Sequence, residues 1–171
     1  TRMESTTEQT VEKTVTQNTV TFPRFGECSY AESDVITFPW GIPGFAGHHR
    51  WLILTLDSQP GYVWLQSLND LSVALPAANP WSIFESYDPK LAPYAFISLD
   101  IKSAAEFTLL CVVVATPGGD AMTMNLAAPI VINLRTRNAR QVFGDNPVYS
   151  SSEPIPRTAS QQQAELASRA S

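Results

Sequence analysis

Short apolar runs broken by proline and glycine constrain the fold of this chain more than any other feature of its sequence. The runs are rich in β-branched and aromatic residues, which favour extended backbone, and they are too short for an amphipathic helix. The pattern therefore predicts an all-β fold, a small antiparallel barrel-like or sandwich domain with little helix. The predicted strands are 35–38, 51–56, 62–68, 72–75, 94–99, 107–115, 121–126, 130–134 and 141–143.

Two of these runs, 51–56 and 107–115, are apolar on both alternating faces, which is typical of central strands covered on both sides. Two glycines in the segment 116–120 predict a hairpin turn after the second run, because glycine adopts positive φ at little cost. One helical turn is predicted at 88–92, with Asp88 as its cap.

Both ends of the chain are poor in large apolar residues. Residues 1–20 contain three valines among many Thr and Glu, and residues 150–171 are rich in Ser, Gln and Ala. Such segments bury too little apolar surface to offset the entropy of ordering. We therefore predict a disordered N-terminal tail over 1–20, a β domain over 21–149 and a flexible C-terminal tail over 150–171. The aromatic residues at 22–25 allow an additional edge strand ahead of the predicted core strands.

The charge and cysteine content exclude several classes of protein. Sixteen acidic residues against eleven basic ones give a formal net charge of −5, which argues against a surface that grips nucleic-acid phosphates. Cys28 and Cys111 show no disulfide or metal-ligand spacing. With no apolar stretch of signal-peptide or membrane-spanning length, we expect a cytoplasmic protein with no membrane partner and no direct nucleic-acid partner.

The sequence contains no convincing catalytic, metal or cofactor site. His48 and His49 are adjacent and point in different directions, so we expect a loop pair rather than metal ligands. The carboxylates Glu85 and Asp88 are three residues apart, a spacing that allows acid–base chemistry but is more often found in solvated or turn-capping groups. Cys111, within an apolar run, is expected to be a buried inert thiol.

The aromatic residues and the arginines remain open to more than one interpretation. The aromatic series could stack bases, but only three basic residues accompany ten acidic ones between positions 25 and 134, so core and protein-interface roles are favoured. A basic patch follows predicted strand 130–134 and could pair with an acidic face of this protein or of a partner. The aromatic series is Trp40, Phe45, Trp51, Trp64, Trp81 and Phe84, and the patch is Arg135, Arg137 and Arg140.

Four ordered motifs resemble one known family. They are Val35-Ile-Thr-Phe-Pro-Trp-Gly-Ile-Pro-Gly-Phe45, Val63-Trp-Leu-Gln-Ser67, Met124-Asn-Leu-Ala-Ala-Pro-Ile-Val-Ile-Asn133 and Arg137-Asn-Ala-Arg-Gln-Val142. Together they are similar to the bacterial flagellar assembly factor FliW family, and the resemblance covers about residues 35–149. The extensions at both ends go beyond the compact body of that family.

The resemblance implies a mostly β, barrel-like protein with no cofactor and no enzymatic activity. It implies two protein partners, flagellin and the RNA-binding translational regulator CsrA. Flagellin held in the cytosol occupies the factor, and once flagellin is exported the released factor binds CsrA and relieves repression of flagellin translation. The alternatives are a small-molecule-binding β-barrel, an uncharacterised hydrolase, or a structural subunit without a switching role.

Partner-binding residues are predicted within two of the motifs. The Gly-Ile-Pro-Gly piece is expected to set a rigid turn anchored to the core by Phe45, and Asn125 to satisfy turn backbone at the entry to a strand. A contact with partners is a further hypothesis for both motifs. The predicted residues are Gly41, Ile42, Pro43, Gly44, Phe45, Asn125, Leu126 and Pro129.

Overall fold

The computed structural model of the chain describes residues 16–55 and 61–157, which form eleven strands and one short α-helix. The strands are β1 (Gln17–Phe22), β2 (Gly26–Ala31), β3 (Ile36–Thr37), β4 (Arg50–Thr55), β5 (Tyr62–Ser67), β6 (Ala74–Ala78), β7 (Phe107–Ala115), β8 (Met122–Met124), β9 (Ile130–Asn133), β10 (Ala139–Gln141) and β11 (Glu153–Pro154). The helix is α1 (Pro93–Ser98), and 3₁₀ turns lie at Glu32–Asp34, Pro80–Ser82 and Ala104–Glu106.

The main sheet has the order β10-β9-β7-β6-β5-β4-β3, with antiparallel pairing throughout. β8 joins the sheet through β7, and β11 pairs with β8. The two end strands approach each other at an isolated parallel bridge between Thr37 and Asn138, where the Thr37 N–H donates to the Arg137 carbonyl at 2.9 Å. The sheet therefore curls into a barrel-like form without a continuous ladder closing it, and the predicted all-β fold is confirmed.

β7 spans the predicted residues 107–115 and has apolar neighbours on both faces. Leu109, Cys111 and Val113 pack into one core cluster, which also contains Tyr87. Leu110, between them, packs into a second cluster on the other face. Because successive side chains of a strand point to opposite faces, β7 separates the two clusters and contributes to both.

β4 is also covered on both faces, and the β1–β2 hairpin supplies one of the covers. Trp51 is fully buried in the second core cluster, whereas the adjacent Leu52 packs with Phe22 in a third cluster. β1 and β2 pair antiparallel over their whole lengths, from Gln17 with Ala31 to Phe22 with Gly26. The aromatic residues at 22–25 therefore belong to an additional hairpin, which explains why run 51–56 is apolar on both sides.

The strand predicted at 94–99 is wrong, because these residues form α1. Pro93 opens the helix, where its fixed φ is favourable and its missing N–H is not needed. Ala95 and Leu99, four residues apart, are both buried on one side, as helical periodicity requires. The helical turn predicted at 88–92 is also wrong, since none of these residues is helical and Leu91 forms an isolated bridge with Gly144.

Several boundaries differ from their predicted positions. The predicted strand 72–75 ends before Pro76, but β6 continues through this proline to Ala78. The proline is tolerated because pairing with β7 begins only at Ala77, so no β7 carbonyl requires an N–H at position 76. The hairpin at 116–120 is confirmed, with the Gly119 N–H donating to the Thr116 carbonyl at 2.8 Å.

Strand pairing also extends past the expected domain limits, since β1 starts at Gln17 and β11 lies at Glu153–Pro154. Of the predicted tails at 1–20 and 150–171, residues 1–15 and 158–171 lie outside the described residues. The division of the chain into tails and a domain stays a prediction.

The two-sided burial of β7 predicts unequal effects of substitution along one strand. Leu109→Ala removes a side chain that is 1% exposed and should lower the free energy of unfolding by about 2–5 kcal/mol. The control is Val114→Ala on the same strand, where the side chain is 58% exposed and the loss should stay below about 1 kcal/mol. Urea denaturation measures both, and equal losses would contradict this account of the core.

Candidate functional site

The predicted turn at 41–45 is a tight turn on the surface of the barrel-like body. The Phe45 N–H donates to the Ile42 carbonyl at 2.7 Å, and these two residues form an isolated antiparallel bridge. Pro43 and Gly44 lie between them, and Gly44 has a φ of +87°. Pro followed by a residue with positive φ is the requirement of a type II turn. The predicted rigid turn is therefore confirmed, with Pro43 and Gly44 exposed and Ile42 buried.

Gly41 is buried, and its backbone passes close to another part of the loop. Its φ is +69°, and a Cβ atom at this position would lie 2.6 Å from the Ala46 carbonyl oxygen. Both the left-handed backbone and the close approach exclude a side chain. This glycine is thus required by the fold of the loop.

Phe45 anchors the turn to the core, as predicted. Its ring makes edge contacts with Trp51 and with His48, and the His48 Nδ1 atom lies 3.0 Å from the Ser67 hydroxyl. His49 Nδ1–H donates to the Phe38 carbonyl at 2.8 Å. The two histidines therefore form the expected loop pair, and each holds a different part of the loop.

The second motif, residues 125–129, is the loop that connects β8 to β9, both of which pair with β7. Met124 of β8 lies opposite Val113, and Ile130 of β9 lies opposite Leu110, so five residues span a distance covered by two on β7. Asn125 closes this loop through its side-chain oxygen, which accepts from the Ala128 N–H at 3.0 Å. The predicted role of Asn125 in satisfying turn backbone is confirmed.

The carbonyl groups of this loop bind neighbouring segments. The Leu126 carbonyl accepts from the buried Tyr87 hydroxyl at 2.6 Å, and the Pro129 carbonyl accepts from the Val142 N–H at 3.0 Å. Leu126 is 1% exposed and Pro129 is buried, so neither presents a side chain to a partner. The structure places the two predicted motifs in different core clusters, and a partner contact stays a prediction for both.

Trp40, an exposed residue directly before the turn at 41–45, belongs to a cluster that the sequence patterns do not predict. The Arg140 guanidinium carbon lies 4.3 Å from the Trp40 ring centroid and 5.2 Å from that of Tyr94. We call these three residues the Arg140 cluster. Trp40 and Arg140 each belong to a predicted group, but no local pattern indicates their contact, because it joins the 38–42 loop, β10 and α1.

The other two arginines of the predicted basic patch bind groups within the protein. Arg135 forms a salt bridge with Asp100 at 2.9 Å, and an Arg137 guanidinium nitrogen donates to the Asp34 carbonyl at 3.2 Å. The Arg135 bridge also lowers the pKa of Asp100. Of the alternatives for this patch, pairing within the protein applies to Arg135, whereas Arg140 contacts aromatic rings.

A second candidate surface is an apolar groove beside α1, formed by two adjoining hollows of about 330 and 460 Å³. Phe96 and Phe107 line both hollows, with their rings in edge contact at a centroid distance of 5.2 Å. Lys90 lines the first hollow and Lys102 the second. We call this surface the Phe96–Phe107 groove, and its other lining residues include Trp81, Leu91, Ile101 and Ala104.

The titratable groups in the core do not form a reaction centre. Burial raises the pKa of the Cys111 thiol to about 12 and also raises the pKa of Tyr87, so both groups are neutral at physiological pH. The predicted buried inert thiol is confirmed.

Within 16–55 and 61–157 there is no group of three or more His, Cys, Asp or Glu side chains able to hold a metal ion. Among the described helices, none is long and apolar enough to cross a membrane.

The close approach at Gly41 predicts that this glycine cannot be replaced. Gly41→Ala should lower the free energy of unfolding by at least about 1–3 kcal/mol, because positive φ and a contact with fixed backbone both oppose the new methyl group. Gly47→Ala is the control, since this glycine has ordinary φ and open space around it. Thermal and urea unfolding should show a loss for the first variant only, and an unchanged Gly41→Ala protein would refute the requirement.

Comparison with known proteins identifies relatives over nearly all of the described region. The family profile described as FliW protein matches residues 19–155. The flagellar assembly factor FliW of Pseudothermotoga lettingae is 35% identical over 128 residues, covering 74% of this chain and 81% of that protein. That of Clostridium tetani is 32% identical over 130 residues, covering 76% of this chain and 90% of its own. A crystal structure of the flagellar assembly factor FliW superposes with a TM-score of 0.74 at 27% identity, covering 83% of this chain and 100% of that one.

Proposed function

Because this chain belongs to the FliW family of flagellar assembly factors, we propose that it is a non-enzymatic cytoplasmic protein that binds flagellin and the translational regulator CsrA. Binding to CsrA relieves the repression of flagellin translation, and flagellin that has not been exported competes by occupying the factor. The observation that carries the proposal is the family match over residues 19–155. The coupling between the two partners is a binding free energy, with no chemical step.

Surface charge supports an interaction with an RNA-binding regulator. Only three basic residues accompany ten acidic ones between positions 25 and 134, and two of the three are paired within the protein. Arg50 forms a salt bridge with Glu32 at 2.6 Å, and Lys102 lies 3.8 Å from Asp100. A protein that binds RNA carries positive charge, so this acidic surface attracts it and repels RNA phosphates.

The Phe96–Phe107 groove supports an interaction with flagellin. Its floor consists of aromatic and aliphatic side chains that are only partly covered by the protein itself. An amphipathic segment can place its apolar face in such a groove. Terminal segments of unassembled flagellin have this amphipathic character.

The two predicted partner-binding motifs enter the proposal in different ways. Pro43 and Gly44 are exposed, and Phe45 and Asn125 are half-buried, so these four can reach a partner directly. The buried members act on partners by fixing the shape of the loops. These buried residues are Gly41, Ile42, Leu126 and Pro129.

Calorimetry with purified CsrA and with flagellin, combined with a CsrA–RNA competition, tests the proposal. We expect saturable binding to each partner and loss of RNA from CsrA. Because charge steers the encounter with CsrA, a kinetic binding measurement should show an association rate that falls steeply as the salt concentration rises, while the dissociation rate changes little. Binding to flagellin alone would leave a chaperone-like factor, and binding to neither would refute the proposal.

Two matched substitutions test the groove as the flagellin site. Ala104 and Ala105 are both exposed in one 3₁₀ turn, but only Ala104 lines the groove. Ala104→Glu should weaken flagellin binding by at least about tenfold, because a docked apolar segment would desolvate the new carboxylate. Ala105→Glu adds the same charge outside the groove and should leave the affinity unchanged. Equal affinities for the two variants, measured by calorimetry, would place flagellin elsewhere.

A further inference from the structure

The Arg140 cluster combines a cation and apolar surface at one exposed place. Arg140 lies in the middle of β10, opposite Val131, and Tyr94 lies in the first turn of α1. Trp40 is 51% exposed and Tyr94 is 45% exposed, although both rings contact the guanidinium. A buried core would cover such rings, so this arrangement holds aromatic surface in contact with solvent.

The guanidinium of Arg140 keeps its hydrogen-bonding capacity. Contacts with ring faces use the positive charge but none of the N–H donors. Within the part of the chain that the structure describes, no carboxylate lies within 4.0 Å of Arg140, whereas Arg50 and Arg135 each have one. Arg140 is thus a positioned cation, held by two rings and still able to bind an anion through parallel N–H donors.

We propose that the Arg140 cluster is a binding site for a protein segment that carries a carboxylate next to an apolar side chain. The carboxylate accepts two hydrogen bonds from the Arg140 guanidinium, and the apolar side chain packs on Trp40 and Tyr94. Ile97, three residues after Tyr94 on the helix and 77% exposed, extends the apolar surface on the same face. Aromatic residues together with an arginine are also the composition of the central residues in protein interfaces.

The charge of the whole protein favours a single carboxylate over a nucleic acid. Arg135 is already paired with Asp100, and Arg137 donates to the Asp34 carbonyl. A polyanion needs several cations along its path, and the net charge of −5 repels it. One carboxylate on a peptide needs only one arginine. None of the three residues of the Arg140 cluster lines the Phe96–Phe107 groove.

Selection from a phage-displayed library of random short peptides on the full-length protein tests the proposal. We expect enriched peptides to contain Asp or Glu beside an aromatic or aliphatic residue. Synthetic copies should bind at least about tenfold more weakly to Arg140→Gln, because two charge-assisted hydrogen bonds are lost. Replacing their Asp or Glu by Asn or Gln should weaken binding to the wild-type protein by a similar factor.

Two further variants separate recognition from a purely structural role. Arg135→Gln removes the same charge from an arginine that is already paired with Asp100 and should leave peptide binding unchanged. Arg140→Lys keeps the cation near both rings, and so the fold, but should weaken binding because lysine lacks the planar pair of donors. Failure to select any peptide, selection of peptides without acidic residues, or equal binding to wild type and Arg140→Gln would each overturn the proposal. Binding of a single-stranded RNA probe at this cluster would overturn it in favour of a nucleic-acid site.

Discussion

The burial of both faces of β7 is the constraint on which the rest of the structure depends. A strand buried on both faces cannot pair its backbone groups with water, so neighbouring strands must supply the partners along its length. β9 pairs with residues 107–110, β8 with residues 113–115, and β6 with the two residues between them. β8 and β9 both pair with β7, and the residues between these two strands form the loop at 125–129. Its carbonyl groups then hold Tyr87 and the segment after β10.

A second consequence is that the most distinctive motifs mainly build the scaffold. In the first motif, Gly41 allows a close approach of two backbone segments, and Ile42 and Phe45 fix the turn to the core. Trp40, which is 51% exposed, belongs to the same loop and contacts Arg140. Trp40 and Arg140, which carry the proposed recognition, lie within two of these motifs, and buried residues of the first motif fix the loop that carries Trp40.

Sequence patterns predict the interior of this protein better than its periphery. The covering of both faces of β4 and β7 is correctly predicted from runs 51–56 and 107–115, because a short run that is apolar on both alternating faces must be shielded from water on both sides. Segment 94–99 is wrongly predicted as a strand, since six residues of mixed character fit either periodicity, and packing of Ala95 and Leu99 favours the helix. The β1–β2 hairpin is predicted only as an edge strand, because its alternating Thr, Asn and Ser carry little apolar signal. Its stability comes from covering Leu52 and Leu54.

The fold class, the acidic charge, the buried state of Cys111 and the family all follow from the amino-acid sequence, because each depends on local composition or on ordered motifs. The surfaces available to partners depend instead on tertiary structure. The Phe96–Phe107 groove joins α1 to the start of β7, and the Arg140 cluster joins residues 40, 94 and 140. Contacts between residues so far apart in the chain depend on sheet order and loop path, which no local pattern encodes. For the same physical reason, the turn at 41–45 and the closing role of Asn125 can be predicted from local residues, whereas the contacts of Trp40 and Tyr94 with Arg140 cannot.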